Sequence, residues 1–289
     1  MKYAFMKEQR EHHAIDKMCR WLGVSRAGYY KWLHRKPSEQ AVRRAHVHAA
    51  VVLTFERFKK RYGAPRIAVE LKESGIACSV NHIARLMAES GLQARNGKNF
   101  KFFPSANAIN RVSDNVLGRD FSAAALNEKW VSDITYIKLD KGYAYLAVIM
   151  DLFSRQIIGW ALDATMTTEL ICKAFNMAVA RRQVKPGLIL HSDRGVQYRS
   201  SAYQALLYDH GIRPSMSRKG NCWDNAAMEA FFARLKVESI YAEPPCNKEE
   251  AYASVFEYIE LFYNGVRRHS ANNYKSPKQH EAEYYAQCA

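Results

Sequence analysis

The sequence has few cysteines and no long apolar run. Its six cysteines, among 289 residues, are scattered, and none forms a Cys-x-x-Cys pair. They therefore indicate no disulfide framework, and a reducing cytoplasm suits the chain. A zinc module needs paired histidines and cysteines, and His12 and His13 have no matching cysteine pair, so we expect no zinc. No apolar stretch reaches the roughly 18 residues of a membrane span, and the basic N-terminus lacks the apolar stretch of a signal peptide.

Acidic residues are scarce in the first part of the chain. Residues 1–122 hold 23 lysines and arginines against 10 aspartates and glutamates, whereas residues 123–289 hold 20 against 18. The formal net charge of +15 is therefore concentrated in the first part. This asymmetry predicts that the first part binds a polyanion such as nucleic acid. The alternative is a basic protein without such a ligand.

Two helix-turn-helix patterns precede residue 96. In the first, residues 14–34, a Gly-Val-Ser turn at 23–25 leads into a helix that exposes Arg26 and Lys31. An ordinary helical hairpin is the alternative. In the second, a helix from Val80 to Met87 with a stripe of Val80, Ile83 and Met87 turns three polar side chains outward. A recognition helix in a major groove needs such side chains, and a structural or oligomerising role is the alternative. The three are Asn81, His82 and Arg85.

The residues that follow are basic and show no clear period. We predict a linker over residues 96–122 that follows phosphate groups, with Phe100, Phe102 and Phe103 stacking on bases or anchoring the linker. The predicted units are thus 1–36, a first helix-turn-helix; 37–95, a second; 96–122, the linker; 123–245, a core; and 246–289, a helical extension.

The core begins as a strand meander and continues as alternating helices and strands. Strands are predicted at 130–138, 143–151, 155–163, 187–192 and 212–216, and helices at about 167–182 and 200–210. This order predicts an α/β fold, a mixed five-stranded sheet flanked by helices.

Three carboxylates stand where the pattern predicts apolar surroundings. Asp133 lies inside an apolar strand, Asp193 ends another, and Glu229 follows 35 residues later beside the apolar face of a helix. A buried acid is costly unless it is paired or binds metal. Three together suit Mg²⁺ or Mn²⁺, as two ions that promote displacement at phosphorus.

Five motifs in order resemble the second-reading-frame (OrfB) transposases of insertion-sequence family three, which share the retroviral integrase catalytic core. The resemblance covers nearly the whole chain. It is carried by Trp130-x-x-Asp133-Ile134-Thr135-Tyr136, Asp151-Leu152-Phe153-Ser154-Arg155, His191-Ser192-Asp193-Arg194-Gly195-x-Gln197-Tyr198, Asp224-Asn225-x-x-x-Glu229 and Tyr263-Asn264-x-x-Arg267-x-His269-Ser270.

The resemblance implies a ribonuclease-H-like fold and an enzyme that cleaves and joins DNA ends through Asp133, Asp193 and Glu229. It implies element ends and target DNA as partners, a homo-oligomer on DNA, possible fusion to an upstream OrfA partner, and a bacterial, nucleoid-associated location. A silent DNA-binding regulator and a structure-selective nuclease with the same core are the alternatives.

Further side chains near the acids are candidate DNA contacts. Lys236 lies seven residues after Glu229, within about 20° of the same helix face; a solvated lysine paired with Glu238 or Glu243 is the alternative. His191 either orients phosphate or is a satisfied core histidine. Asp151 is expected to be structural rather than a metal ligand. Arg194, Gln197 and Arg267 complete the predicted contacts.

Overall fold

The computed structural model of the protein describes residues 1–95, 113–218 and 222–288. The predicted aromatic contacts of Phe100, Phe102 and Phe103, and most of the predicted linker, lie outside these ranges. No helix within them is long and apolar enough to cross a membrane.

The first three helices form a small unit with its own core. They are α1 (Lys2–Glu8), α2 (Ile15–Leu22) and α3 (Arg26–Leu33). Gly23 ends α2 at φ 61°, a left-handed conformation that glycine adopts without strain. The Ser25 hydroxyl caps α3 by accepting a hydrogen bond from the Gly28 amide at 3.0 Å. The predicted turn and cap are therefore present, and α1, which the sequence analysis did not predict, supplies Met6 to the shared core.

The second helical unit consists of α4 (Glu39–Arg57), α5 (Ala64–Glu73) and α6 (Val80–Glu89). The Ser79 hydroxyl caps α6 through the His82 amide at 3.3 Å, as predicted. The predicted apolar stripe is wrong at Val80, which is 42% exposed. Val80 occupies the first helical position, at the rim of an open groove, and Leu86 takes its place in the core beside Ile83 and Met87.

A mixed five-stranded sheet forms the centre of the molecule. Its order is β3-β2-β1-β4-β5, with β2 antiparallel to β1 and β3, and with β4 parallel to β1 and β5. This confirms the predicted ribonuclease-H-like fold. The strands are β1 (Lys129–Lys138), β2 (Tyr143–Asp151), β3 (Ile157–Asp163), β4 (Ile189–Ser192) and β5 (Arg213–Met216).

Helices cover both faces of this sheet. Helices α7 (Thr168–Arg181) and α8 (Ser201–Asp209) pack on one face, around Trp130 and Phe175. Helix α9 (Ala226–Leu235) and helix α10 (Lys248–Phe256) pack on the other and continue into π-helical segments at Lys236–Ile240 and Glu257–Tyr263. The last helix is α11 (Pro277–Cys288).

The second helical unit shares its hydrophobic core with the sheet. Val51, Phe55 and Ile67 belong to the same buried cluster as Val131 of β1 and Val255 of α10. The domain boundaries therefore stay a prediction, and the core runs across the predicted limits at 95, 123 and 246.

Candidate active site

Two of the three predicted acids lie side by side on neighbouring strands. In the parallel register of β1 and β4, Val131 is opposite His191. Asp133 and Asp193 each follow two residues later, so they reach the same level of the sheet. Helix α9 packs against β1 and carries Glu229 in its first turn. The fold thus brings all three carboxylates together in the middle of the sheet, where β4 ends beside β1.

The three carboxylates share a surplus of negative charge. Burial, and then the neighbouring Asp193, raises the pKa of Asp133 well above its usual range, with a smaller contribution from Glu229. Burial also raises the pKa of Asp193, against the Gly195 amide and Arg199, and raises that of Glu229. Of the ion pairs seen among the described residues, none includes these three carboxylates. The charge therefore calls for a cation.

The donor set fits a hard divalent ion, because such ions prefer carboxylate oxygens. Two of the acids are already oriented: Asp133 Oδ1 accepts the Ile134 amide at 2.8 Å, and Asp193 Oδ1 accepts the Gly195 amide at 2.8 Å. Within residues 1–95, 113–218 and 222–288, no group of three His, Cys, Asp or Glu side chains is arranged so that it could hold a metal as it stands. The acids converge without forming a finished ligand set.

Lys236 lies beside the acids, on the side of the catalytic helix where the sequence predicted it. Only 4% of it is exposed, and its ammonium stands 4.5 Å from the centre of the Tyr136 ring. Burial lowers the pKa of Lys236 to about 8, with Asp133 opposing the change. The prediction that Lys236 shares a helix face with Glu229 agrees with this position. At Lys236 that face packs on Tyr136 of β1. Its DNA contact stays a prediction.

His191 is a satisfied core histidine. It is fully buried, and its two ring nitrogens lie 2.9 Å from the Ser215 hydroxyl and 3.0 Å from the Ser217 hydroxyl. Burial lowers its pKa to about 4, so the ring is neutral near pH 7. This is the alternative that the sequence left open, and a DNA contact of His191 stays a prediction.

Gln197 and Arg194 are engaged within the protein. Gln197 is buried, and its amide donates to the Met166 carbonyl at 3.0 Å. Its DNA contact stays a prediction. Arg194 is half-buried, and its Nε donates to the Ser217 carbonyl at 2.6 Å. That bond fixes the guanidinium group of Arg194 through its Nε. Its DNA contact stays a prediction.

Arg267 is bound within the protein, and its DNA contact stays a prediction. Arg267 is 2% exposed and donates to both carboxylate oxygens of Glu238, at 2.8 and 2.6 Å. The Tyr258 hydroxyl donates to the same carboxylate at 2.9 Å. A buried acid requires such partners, so Arg267 serves the packing of the C-terminal helices.

Asp151 is structural, as expected. Its two carboxylate oxygens accept the Asn127 and Phe153 amides, each at 2.8 Å. Both bonds pin the turn after β2 and occupy the oxygens that a metal would use.

Predicted contacts in the helical units remain on the surface. Arg26 and Lys31 of α3 are exposed, and Arg26 pairs with Asp16 at 3.4 Å. In α6, Asn81 and Arg85 are exposed and His82 is half-buried. Their DNA contacts stay predictions.

Asp224 is a positioning residue that the sequence analysis quoted in a motif without assigning a role. Its buried carboxylate accepts from Arg218 through the amide at 2.9 Å and Nε at 3.0 Å, from Arg119 at 2.8 Å and from Asn115 at 2.9 Å. These bonds, Arg218 first, hold its pKa well below the usual range. They join residues 115–119 to the chain just before α9, and so fix the start of the helix that carries Glu229.

Comparison with known proteins agrees with this architecture. The family described as "Integrase core domain" matches residues 123–222, a second family of that description matches 210–277, and "HTH-like domain" matches 43–99. Transposase InsF for insertion sequence IS3A, from Escherichia coli (strain K12), is 44% identical over 97% of this chain and 98% of its own length. The insertion element IS600 uncharacterized 31 kDa protein of Shigella sonnei is 38% identical over 94% of this chain and all of its own.

One solved structure, the HTLV-2 integrase catalytic core domain in complex with magnesium, is 18% identical with a TM-score of 0.41, covering 54% of this chain and 97% of that one. That likeness is too slight to support a conclusion about function. The near-full-length identity to InsF, together with the integrase-core and helix-turn-helix matches, is sufficient by itself: the chain belongs to the IS3 family of transposases, enzymes of the polynucleotidyl transferase class.

Proposed function

We propose that Asp133, Asp193 and Glu229 are the catalytic carboxylates of a reaction that cleaves the ends of an insertion sequence and joins them to target DNA. The observation that carries this proposal is the convergence of three like charges where β4 ends beside β1, with raised pKa values and no ion pair among the described residues. Structural acids elsewhere in the chain are neutralised by arginines. An enzyme retains such a surplus where it binds a cation.

The carboxylates are the residues that would hold Mg²⁺ or Mn²⁺. Two bound ions would supply activation of water or of a 3′-hydroxyl and stabilisation of the leaving oxygen. Asp133 and Asp193 each have one oxygen fixed by a backbone amide, which limits the rotation of the carboxylate. Lys236 keeps a compensating charge beside Asp133.

The helical units are proposed to bring the DNA. Arg26 and Lys31 on α3, and Asn81, His82 and Arg85 on α6, would contact the terminal inverted repeats of the element. Arg194, beside Asp193, would contact the DNA near the reacting phosphate. A homo-oligomer on DNA would hold two ends together, and an upstream OrfA partner or fusion would add a further DNA-binding unit. In a bacterial host this work takes place in the cytoplasm, at the nucleoid.

A strand-transfer assay tests the proposal. The full chain is incubated with a labelled element end, an unlabelled target duplex and Mg²⁺ or Mn²⁺. We expect both a nicked end and a joined product, each lost in EDTA. Binding without either product would identify a DNA-binding regulator instead, and nicking without joining would identify a structure-selective nuclease.

A further inference from the structure

An arginine-rich cleft lies between the second helical unit and α9. It measures about 250 Å³, below the roughly 300–1,000 Å³ of sites for drug-sized ligands. Four arginines line it: one between α4 and α5, one in α5, one after α6 and one in α9. Among the described residues of the lining, the only acidic one is Glu238. The arginines are Arg61, Arg66, Arg95 and Arg234.

Two of these arginines have partners within the protein. Arg61 is buried, donates to the Glu238 carbonyl at 3.0 Å and pairs with Glu257 at 3.0 Å. Arg95 donates to the same carbonyl at 2.9 Å and lies 3.9 Å from the exposed Glu243. These contacts fix both guanidinium groups at the wall of the cleft.

The other two lack a counter-charge in the described part of the chain. Arg66 donates from Nε to the Arg268 carbonyl at 2.9 Å, which leaves its two terminal nitrogens without a hydrogen bond there. Arg234 makes no hydrogen bond or ion pair with a described residue. The Glu238 carboxylate compensates Arg66 only in part, because its hydrogen bonds go to Arg267 and Tyr258.

Arg66 and Arg234 also repel each other. Burial lowers the pKa of Arg66, and the charges of Arg267 and Arg234 lower it further, with Glu238 opposing. Arg66 is half-buried and Arg234 is exposed, so the pair attracts an anion from solvent, and the forked guanidinium group matches phosphate oxygens.

We propose that this cleft binds a backbone phosphate of the element-end DNA, and that Arg66 and Arg234 are its ligands. The inference rests on the proposed function, since it assumes that the DNA lies along α9. One phosphate would then touch the DNA-binding unit through Arg66 and the catalytic helix through Arg234. Because the two units share a rigid core, this contact sets the distance from the recognised sequence to the carboxylates.

The bound phosphate is not the reacting one. Arg234 follows Glu229 by five residues, about 140° around α9 and roughly 7.5 Å along it. A helix with its side chains is about 10–12 Å across, so the cleft and the acids lie on different sides of α9. The cleft therefore positions a neighbouring part of the strand.

The test uses the full chain, EDTA and a series of end duplexes that each carry one neutral methylphosphonate. In the wild type we expect one or two positions at which the neutral group weakens binding about tenfold. In Arg234→Gln we expect binding to intact DNA to fall about tenfold, the salt slope to fall by about 0.9, and the methylphosphonate effect at those positions to disappear. Arg66→Lys should reproduce the pattern in part, and its melting curve checks that it folds.

Arg213→Gln is the matched control. Arg213 is exposed and is the first residue of β5, which runs parallel to β4. Asp193 follows the last residue of β4, so Arg213 lies at the opposite end of these strands from the acids. We expect wild-type affinity and an unchanged interference pattern.

Wild-type affinity in Arg234→Gln, or an unchanged methylphosphonate effect in that variant, would overturn the proposal. A second outcome would also overturn it. If millimolar inorganic phosphate raised the melting temperature of the wild type as much as end DNA does, and had no effect on Arg234→Gln, the ligand of the cleft would be free phosphate. The measurement needs no catalysis, and Asp133→Asn should give the wild-type pattern. A failure of the cleft is thereby separated from a failure of the proposed active site.

Discussion

A cluster of negative charges and a cluster of positive charges lie on different sides of α9. Toward β1, Asp133, Asp193 and Glu229 accumulate negative charge. Toward the second helical unit, Arg66 and Arg234 accumulate positive charge. Burial acts on both regions, and the neighbouring like charges add to it: the pKa of Asp133 is raised and that of Arg66 is lowered.

The contrast with fully paired groups shows what the two surpluses have in common. Arg267 and Glu238 neutralise each other beside the cleft, and Arg182 and Glu281 do so between the end of α7 and α11. The chain can therefore build complementary pairs there. Where it leaves like charges together, we infer that a ligand of opposite charge completes the site: a divalent cation on one side and a phosphate on the other.

The strongest way to break the comparison is to neutralise an acid. Asp133→Asn, Asp193→Asn or Glu229→Gln should lower strand transfer by more than roughly 10³-fold, because a metal ligand contributes at least as much as one transition-state hydrogen-bond donor. End binding in EDTA should stay within twofold of the wild type. A gel-based joining assay and a binding titration measure the two.

Asp209→Asn, an exposed acid at the end of α8, is the control and should keep full activity. A variant of one of the three acids that retains a tenth of wild-type joining would remove that acid from the site.

Removing a paired acid should act on stability instead. Glu238→Ala leaves Arg267 buried without its partner, and we expect the free energy of unfolding to fall by about 3–5 kcal/mol. Denaturant unfolding followed by circular dichroism measures it. A loss below about 1 kcal/mol would show that Arg267 finds another partner.

The arginines around His269 should also change how the free energy of unfolding depends on pH. Burial, and then Arg267, Arg155 and Arg66, lowers the pKa of His269 to about 4. The unfolded chain therefore binds the proton more readily, and this contribution to stability is lost as the pH falls from about 6.5 to 4. For this half-buried ring we expect on the order of 2 kcal/mol.

His269→Gln should flatten that part of the pH profile, measured by chemical unfolding at several pH values. The same substitution at the exposed His46 is the control. Equal slopes in His269→Gln and the wild type would contradict the lowered pKa.

The smallest expected effect concerns Lys236. Because Lys236 is buried against Tyr136, Lys236→Gln should lower joining about tenfold while it leaves end affinity and the salt slope of binding unchanged. Titrations of end binding at several salt concentrations check this. A loss of affinity equal to the loss of joining would return Lys236 to the role of a direct DNA contact.

The fold, and the strands and helix that carry the three acids, could be predicted from local patterns in the sequence. Apolar runs bounded by turn residues, and an acid within such a run, are visible without knowledge of distant contacts. The partners of the remaining polar residues depend on contacts distant in sequence. Arg267 bonds Glu238 across 29 residues, and Asp224 bonds Asn115 across 109.

Burial of Lys236 depended on how α9 sits on β1, which helical periodicity alone cannot give. The cleft was missed for a similar reason: Arg66 and Arg234 meet only because the second helical unit shares a core with the sheet. The basic first part of the chain pointed to polyanion binding, but not to this place.

The most direct test of the central claim is the melting temperature of the metal-free protein against added Mn²⁺, without DNA. Binding at about 100 times the dissociation constant stabilises by about 2.7 kcal/mol, which corresponds to roughly 5–10 °C for a chain of this size. We expect that rise in the wild type and in Asp209→Asn, and none in Asp133→Asn. An equal rise in Asp133→Asn would contradict the account, because the cation would then bind elsewhere.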